Sequence, residues 1–204
     1  MLPEAARRWG RWVGTSFLRP GDILLTRQFK QVGKPLGLVE QAQRLHGACE
    51  ECIHLTHAAL ILGHDDLICE ALPYVGVVER SIHEYADGQH ALMVRRPRGL
   101  SDAERLNMAL LAQSHLGRRY DWYGAIRHAA RSAGRLFSGA ALEQQRNVIS
   151  AVRAGSFVCS SLCQDVLLEA RRVTNPPIPE FVMPFHFITC RLMESQPVPI
   201  HWAS

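Results

Sequence analysis

With 204 residues, 47% of them apolar, the chain can bury one sizeable core and reads as a single domain over residues 1–204. The net charge of +4 is carried by arginine doublets such as Arg7-Arg8, Arg95-Arg96, Arg118-Arg119 and Arg171-Arg172. Scattered doublets of this kind mark solvated faces and speak against a nucleic-acid partner. No apolar run reaches the roughly 18 residues of a membrane span, and six cysteines are too few for a secreted disulfide scaffold.

At the start, MLPEAARRWGRWVGTSFLRPGD lacks a continuous apolar core and a small-residue cleavage site, which makes it a poor secretory signal. It is expected to be an amphipathic helix with Trp9, Trp12 and Val13 on one side, packed on the domain rather than on a membrane. Arg19-Pro20-Gly21-Asp22 is a turn, and Ile23-Leu24-Leu25 a short buried strand. Leu38, Val39, Ala42 and Leu45 recur at helical spacing and end at Gly47. Two strand-like runs follow, residues 55–62 and 67–72, flanking the turn Gly63-His64-Asp65-Asp66. Further runs cover residues 76–82 and 91–96.

Ser101 and Glu104 then form a capping box for a helix carrying Leu106, Ala109, Leu110 and Leu116, closed by Gly117. Residues 124–155 read as a helical insertion in two pieces. Their Arg127, His128, Arg131 and Arg135 form either a solvated face or a wall of a cleft. A last helix begins at Cys159 and turns Leu162, Val166, Leu167 and Ala170 inward until Asn175-Pro176-Pro177-Ile178-Pro179 stops it. A final strand is expected over residues 187–193. Strands grouped in the first half, with helices before and after, predict an α+β domain with a mainly antiparallel sheet.

The chemistry concentrates in a few residues. A thiol at a helix N-terminus, as Cys159 is placed, sits in the positive end of the backbone dipole, which favours thiolate. His57, on a predicted strand, is a candidate to take the thiol proton and return it to a leaving group. A hairpin closed on residues 63–66 puts Leu62 opposite Leu67 and Ala59 opposite Glu70, so His57 and Glu70 share a face as diagonal neighbours. Such diagonals lie roughly 7–8 Å apart. Glu70 then either orients the imidazole or pairs with an arginine; a one-residue slip would end the first reading.

Cys49-Glu50-Glu51-Cys52, followed by His54 and His57, has half the spacing of a zinc clip. No second clip follows, so these thiols are expected to be reduced, in an exposed loop of a cytoplasmic protein, with no metal and no cofactor. Cys163, one helical turn beyond Cys159, reads as a packing residue or an oxidation partner.

The segments RPGDILLTR, HLTHAALILG, ICEALPYVGVVERSI, LGRRYDWYGAI and FVCSSLCQDVL, in this order, resemble the YiiX-like branch of the NlpC-type papain-fold cysteine amidases. In these circularly permuted members histidine precedes cysteine. Residues 19–170 carry the motifs. The resemblance implies a permuted papain-like fold, with the sheet that bears His57 and Glu70 packed on the Cys159 helix. It assigns Cys159 as nucleophile, His57 as general base and acid, Glu70 as orienting partner, and Tyr120 as a substrate or oxyanion contact. The implied activity is hydrolysis of an amide in a small molecule or peptide, such as a peptidoglycan fragment or an N-acyl compound. Acyltransferases of the lecithin:retinol type place a second histidine near the Glu70 position, and this chain does not. A lipid thioesterase and a binding protein that keeps the fold without turnover are the alternatives.

Overall fold

The computed structural model describes residues 10–29, 34–63, 65–122, 157–171 and 182–203. The insertion expected over residues 124–155 and the proline stop at 175–179 lie outside the described residues, as does Trp9. In chain order the elements are β1 (Trp12–Gly14), β2 (Ile23–Gln28), α1 (Lys34–Leu45), β3 (His57–Ile61), β4 (Leu67–Leu72) and β5 (Gly76–Ser81). A 3-10 turn (Ile82–Tyr85) leads to β6 (His90–Arg95), α2 (Asp102–Ser114), α3 (Cys159–Ala170), the short α4 (His186–Thr189) and β7 (His201–Ala203). The fold is α+β. Among the described residues no helix is long and apolar enough to cross a membrane.

Strands β2 to β6 form one five-stranded antiparallel sheet in the order β5-β4-β3-β2-β6. Because successive side chains alternate faces, each strand contributes to two apolar layers. Ile23, Leu25, Ala58, Leu60, Cys69, Ala71 and Val77 face α2 and α3, against Met108, Ala112, Leu162, Cys163, Val166 and Leu167. Leu24, Ala59, Ile61, Ile68 and Val94 face the other way, where Val13, Ile82, Tyr85 and Val198 cover them. Full burial of each such Leu or Ile contributes roughly 1.5–3 kcal/mol, and Leu24, Leu25, Leu60 and Leu162 are all fully buried.

Tight turns set the strand ends. Gly76 has φ +95°, and a Cβ there would lie 2.3 Å from the carbonyl oxygen of Arg118. Only glycine allows that approach, and it lets Val77 N–H bond to Arg118 O at 2.8 Å.

Several sequence expectations are corrected. Trp12 and Val13 lie in β1, paired antiparallel with β7, and not on a helix. Gly10, at φ +73°, and Gly14 bracket this short strand, and glycine weakens helix in just those places. Leu106 and Leu110 are 55% and 56% exposed, whereas α2 buries Arg105, Met108, Ala109 and Ala112. Arg105 turns inward because buried Asp22 meets its Nη1 at 3.4 Å and the Pro97 carbonyl accepts from Nη2 at 3.0 Å. The capping box at Ser101 and Glu104 is present. Residues 186–189 form α4 rather than a strand; Met183 N–H donates to His186 Nδ1 at 2.8 Å and helps wind this turn.

Cys49 and Cys52 are joined by a disulfide, contrary to the expectation of reduced thiols. Gly47, at φ +81°, ends α1. The chain then turns so that Cys52 and Ile53 N–H both bond to Cys49 O, with the two Cα atoms 5.1 Å apart, within disulfide range. The histidines of the supposed clip point elsewhere: His54 bonds Glu40 at 3.0 Å, and His57 bonds Glu70.

Candidate active site

The β3–β4 register determines which side chains meet. Leu60 pairs with Cys69 and Ile61 with Ile68, and Leu62 N–H donates to Leu67 O. Continued by alternation, this register places His57 and Glu70 on one face, diagonally related. Their side chains meet, with His57 Nε2 2.5 Å from Glu70 Oε2. A carboxylate only accepts, so Nε2 carries the hydrogen and Nδ1 faces the other way.

The His57 ring also meets Cys159. The thiol hydrogen-bonds the His57 ring and also receives the backbone N–H groups of Ala58 and Ser160. The donor from Ala58 follows from the sheet. The β2–β3 ladder runs down to His57–Thr26, whereas the β3–β4 ladder stops at Leu60–Cys69. Alternation points the Ala58 N–H towards β4, and where the two strands part it donates to the Cys159 sulfur. Cys159 opens α3, whose first-turn N–H groups have no partner inside the helix. Val158, extended at φ −91° and ψ 162°, leads in, and Ser161 Oγ accepts its N–H at 3.0 Å.

Electrostatics favour the charged pair. Burial alone lowers the His57 pKa, but the Cys159 charge, its hydrogen bond and the Glu70 carboxylate raise it to about 10. Burial opposes ionisation of Cys159, and the His57 charge and hydrogen bond, with the two backbone donors, bring the thiol below its ordinary value. Both shifts favour thiolate beside imidazolium. The His57 side chain is 16% exposed and Cys159 is half-buried.

Glu70 is fully buried. Burial pushes its pKa up, and His57, Tyr85 and Arg80 together bring it below the usual carboxylate value. Tyr85 donates to Oε2 at 2.6 Å, and Arg80 Nη1 lies 3.5 Å from Oε1. Both readings of Glu70 thus coexist: it holds the imidazole and pairs with an arginine. Neither Tyr85 nor Arg80 was singled out from sequence. Arg80 had a usable signal, since it pairs with Ile68 while Val78 pairs with Glu70, the same diagonal relation that joins His57 and Glu70. Tyr85 had none, because it comes from the 3-10 turn after β5.

Tyr120 is brought to the site. It bridges Phe157 in parallel, and Phe157 N–H donates to Arg119 O while Asp121 N–H donates to Phe157 O. Burial, then the Cys159 charge, raises its pKa, so the phenol stays neutral beside the thiolate. From Tyr120 an exposed row of rings leads outwards: Trp122 at 5.1 Å, then Tyr74 a further 4.7 Å away. Cys163 is fully buried, and burial, then the Cys159 charge, raises its pKa well above an ordinary thiol. It is a packing residue, not a second nucleophile. Cys69 is held up to about 12, mainly by burial, and bonds to Ala112 O.

No family model and no curated protein matches this chain.

Proposed function

We propose that the protein is a thiol hydrolase that cleaves an amide bond through an acyl-thioenzyme on Cys159. The observation that carries the reading is the Cys159–His57–Glu70 chain, with the thiol at a helix start and two backbone N–H groups on its sulfur. The order of the five sequence motifs supports placing it in the permuted, YiiX-like branch of papain-fold amidases, acting on a peptide, a peptidoglycan-derived fragment or an N-acyl compound.

The chemistry follows from these groups. The Cys159 thiolate attacks the amide carbonyl carbon, and the carbonyl π pair moves onto oxygen. The backbone N–H of Cys159 and the Tyr120 hydroxyl are the proposed donors to that oxyanion. Collapse breaks the C–N bond as His57 Nδ1–H gives its proton to the leaving amine, which leaves a thioester and a neutral imidazole. Water then attacks the thioester while His57 takes its proton. Thiolate departs and the imidazolium is restored. Glu70 holds Nε2–H throughout and stabilises the imidazolium without taking the proton.

A second reading, a lipid thioesterase or acyltransferase, gains from one observation: Tyr74, Val75 and Trp122 are 90%, 64% and 40% exposed along the row that starts at Tyr120. A panel of dipeptides, muropeptides, N-acyl amino acids and long-chain acyl thioesters separates the two. Hydrolysis of amides that Cys159→Ala abolishes, with native unfolding behaviour retained, is the expected result. Turnover that survives in Cys159→Ala sinks both readings. Turnover of long-chain acyl thioesters alone favours the second.

A further inference from the structure

Two donors converge on a single oxygen of a buried carboxylate. His57 Nε2 and the Tyr85 hydroxyl lie 2.5 and 2.6 Å from the same Glu70 Oε2. The other oxygen has only Arg80 at 3.5 Å, an ion pair without a hydrogen bond. Tyr85 is 9% exposed, and burial, then the Glu70 charge, raises its pKa well above that of a free phenol. It therefore stays neutral and acts on Glu70 only as a donor. Its ring is held in place, edge-on to His90 at 5.1 Å, and Asp87 grips the His90 Nδ1 at 2.9 Å. Ser81 caps the 3-10 turn that carries it, accepting from His83 N–H.

We propose that Tyr85 is a positioning residue of the Cys159 site: its hydroxyl shares Glu70 Oε2 with the His57 ring and so limits how tightly that carboxylate holds the imidazolium. The inference rests on the reading of Cys159 and His57 as nucleophile and base, and adds the residue that tunes the base. An oxygen that accepts two hydrogen bonds offers each donor less charge than it would offer one alone. An imidazolium gripped by the full carboxylate is a weaker acid towards a leaving amine. Tyr85 relaxes that grip while keeping Glu70 ionised and aimed at Nε2.

Among the described residues, charged and titratable groups face this pair from three sides. Cys159 faces His57 from α3. Arg80 faces Glu70 from β5, with Glu84 as its second partner. His90 and Asp87 stand behind Tyr85. The Cys69 and Cys163 thiols on the helix side have raised pKa values and stay neutral.

The test removes the thiolate and reads the imidazole directly. In Cys159→Ala, His57 titrates against Glu70 without the cysteine charge, followed by NMR of the ring. Adding Tyr85→Phe is expected to raise the His57 pKa by about half a unit to one unit, the size of a typical net hydrogen bond. Glu70→Gln in the same background lowers it and sets the scale. A fluorinated tyrosine at position 85, a stronger donor of nearly the same size, lowers it too, and keeps the test readable if Tyr85→Phe does not fold. A His57 titration that is unmoved or lowered in folded Tyr85→Phe, or unmoved by the fluorinated residue, overturns the proposal. A merely structural tyrosine would change thermal stability and leave the titration in place. Alkylation of Cys159 in the otherwise native chain, with and without His57, tests the underlying reading separately. A thiol indifferent to His57 sinks that reading, whereas a His57-dependent thiol with an unmoved titration sinks only the role of Tyr85.

Discussion

Replacing His57 by alanine isolates what the imidazole does for the Cys159 thiol. In the native site burial opposes ionisation, and the His57 charge and hydrogen bond are the largest contributions against it, ahead of the Ala58 and Ser160 N–H groups. His57→Ala removes both and leaves the burial. A free thiol has a pKa of about 8.5, so below pH 8 its thiolate fraction, and hence its alkylation rate, falls about tenfold per pH unit. The variant should follow that slope between pH 6 and 8. The native chain should rise less steeply across this range, because His57 keeps its proton until about pH 10 and its charge brings the thiol below its ordinary value. At pH 6 the thiolate fraction of the variant is below about 1%, while its thiolate is intrinsically more reactive by roughly tenfold. The net expectation is a native rate faster by on the order of tenfold or more. Iodoacetamide rates, read by mass spectrometry on the peptide that contains Cys159, keep the half-buried Cys190 from confusing the result. Circular dichroism checks that the variant folds. A native profile that climbs through neutrality as steeply as that of His57→Ala would refute the ion pair and, with it, the hydrolase reading.

Other perturbations test the frame that holds the site. Gly76→Ala forces a side chain into φ +95° and against the Arg118 carbonyl; chemical denaturation should show a loss of roughly 2 kcal/mol or more, and an unchanged midpoint would contradict the close approach. Asp22→Ala leaves Arg96 and Arg105 without the carboxylate they share at 2.6 and 3.4 Å; a loss of about 3–5 kcal/mol is expected from denaturant melts, and a loss under 1 kcal/mol would show that the arginines find other partners. Burial, then the His46 charge, lowers the His186 pKa to about 4. Its folded value lies below its unfolded one, so the unfolded chain binds the extra proton, and stability falls as pH drops from about 6.5 towards 4. His186→Asn should flatten that acid slope in thermal melts, and a slope identical to that of the native chain would place the titration elsewhere.

What could be read from sequence was local or periodic. The turn at residues 63–66 and strict alternation were enough to put His57 and Glu70 on one face, because a period of two leaves no intermediate register. The inward stripe Leu162, Val166, Leu167 and Ala170 of α3 is equally direct, and all four are buried. The misreadings share a cause. In α2, Arg105 takes an inward position that a hydrophobic pattern would assign to leucine, since the partner that makes its burial tolerable, Asp22, lies 83 residues away. Trp12 and Val13 pair with β7 across almost the whole chain, and no helical or strand period near residue 12 encodes that partner.

The support around Glu70 is non-local in the same sense and explains why part of the site stayed hidden. An isolated carboxylate on the Ala59 face of the sheet would be costly to bury and would take up a proton. A partner imidazole reduces that cost only while it is charged. Tyr85 and Arg80 supply a neutral donor and a fixed positive charge, so that, in the proposed mechanism, Glu70 stays ionised when His57 gives its proton away. The requirement is therefore chemical before it is structural. A buried orienting carboxylate needs a further donor and a fixed positive charge that do not cycle with the base, and the turn after β5 and the sheet diagonal are where this chain delivers Tyr85 and Arg80.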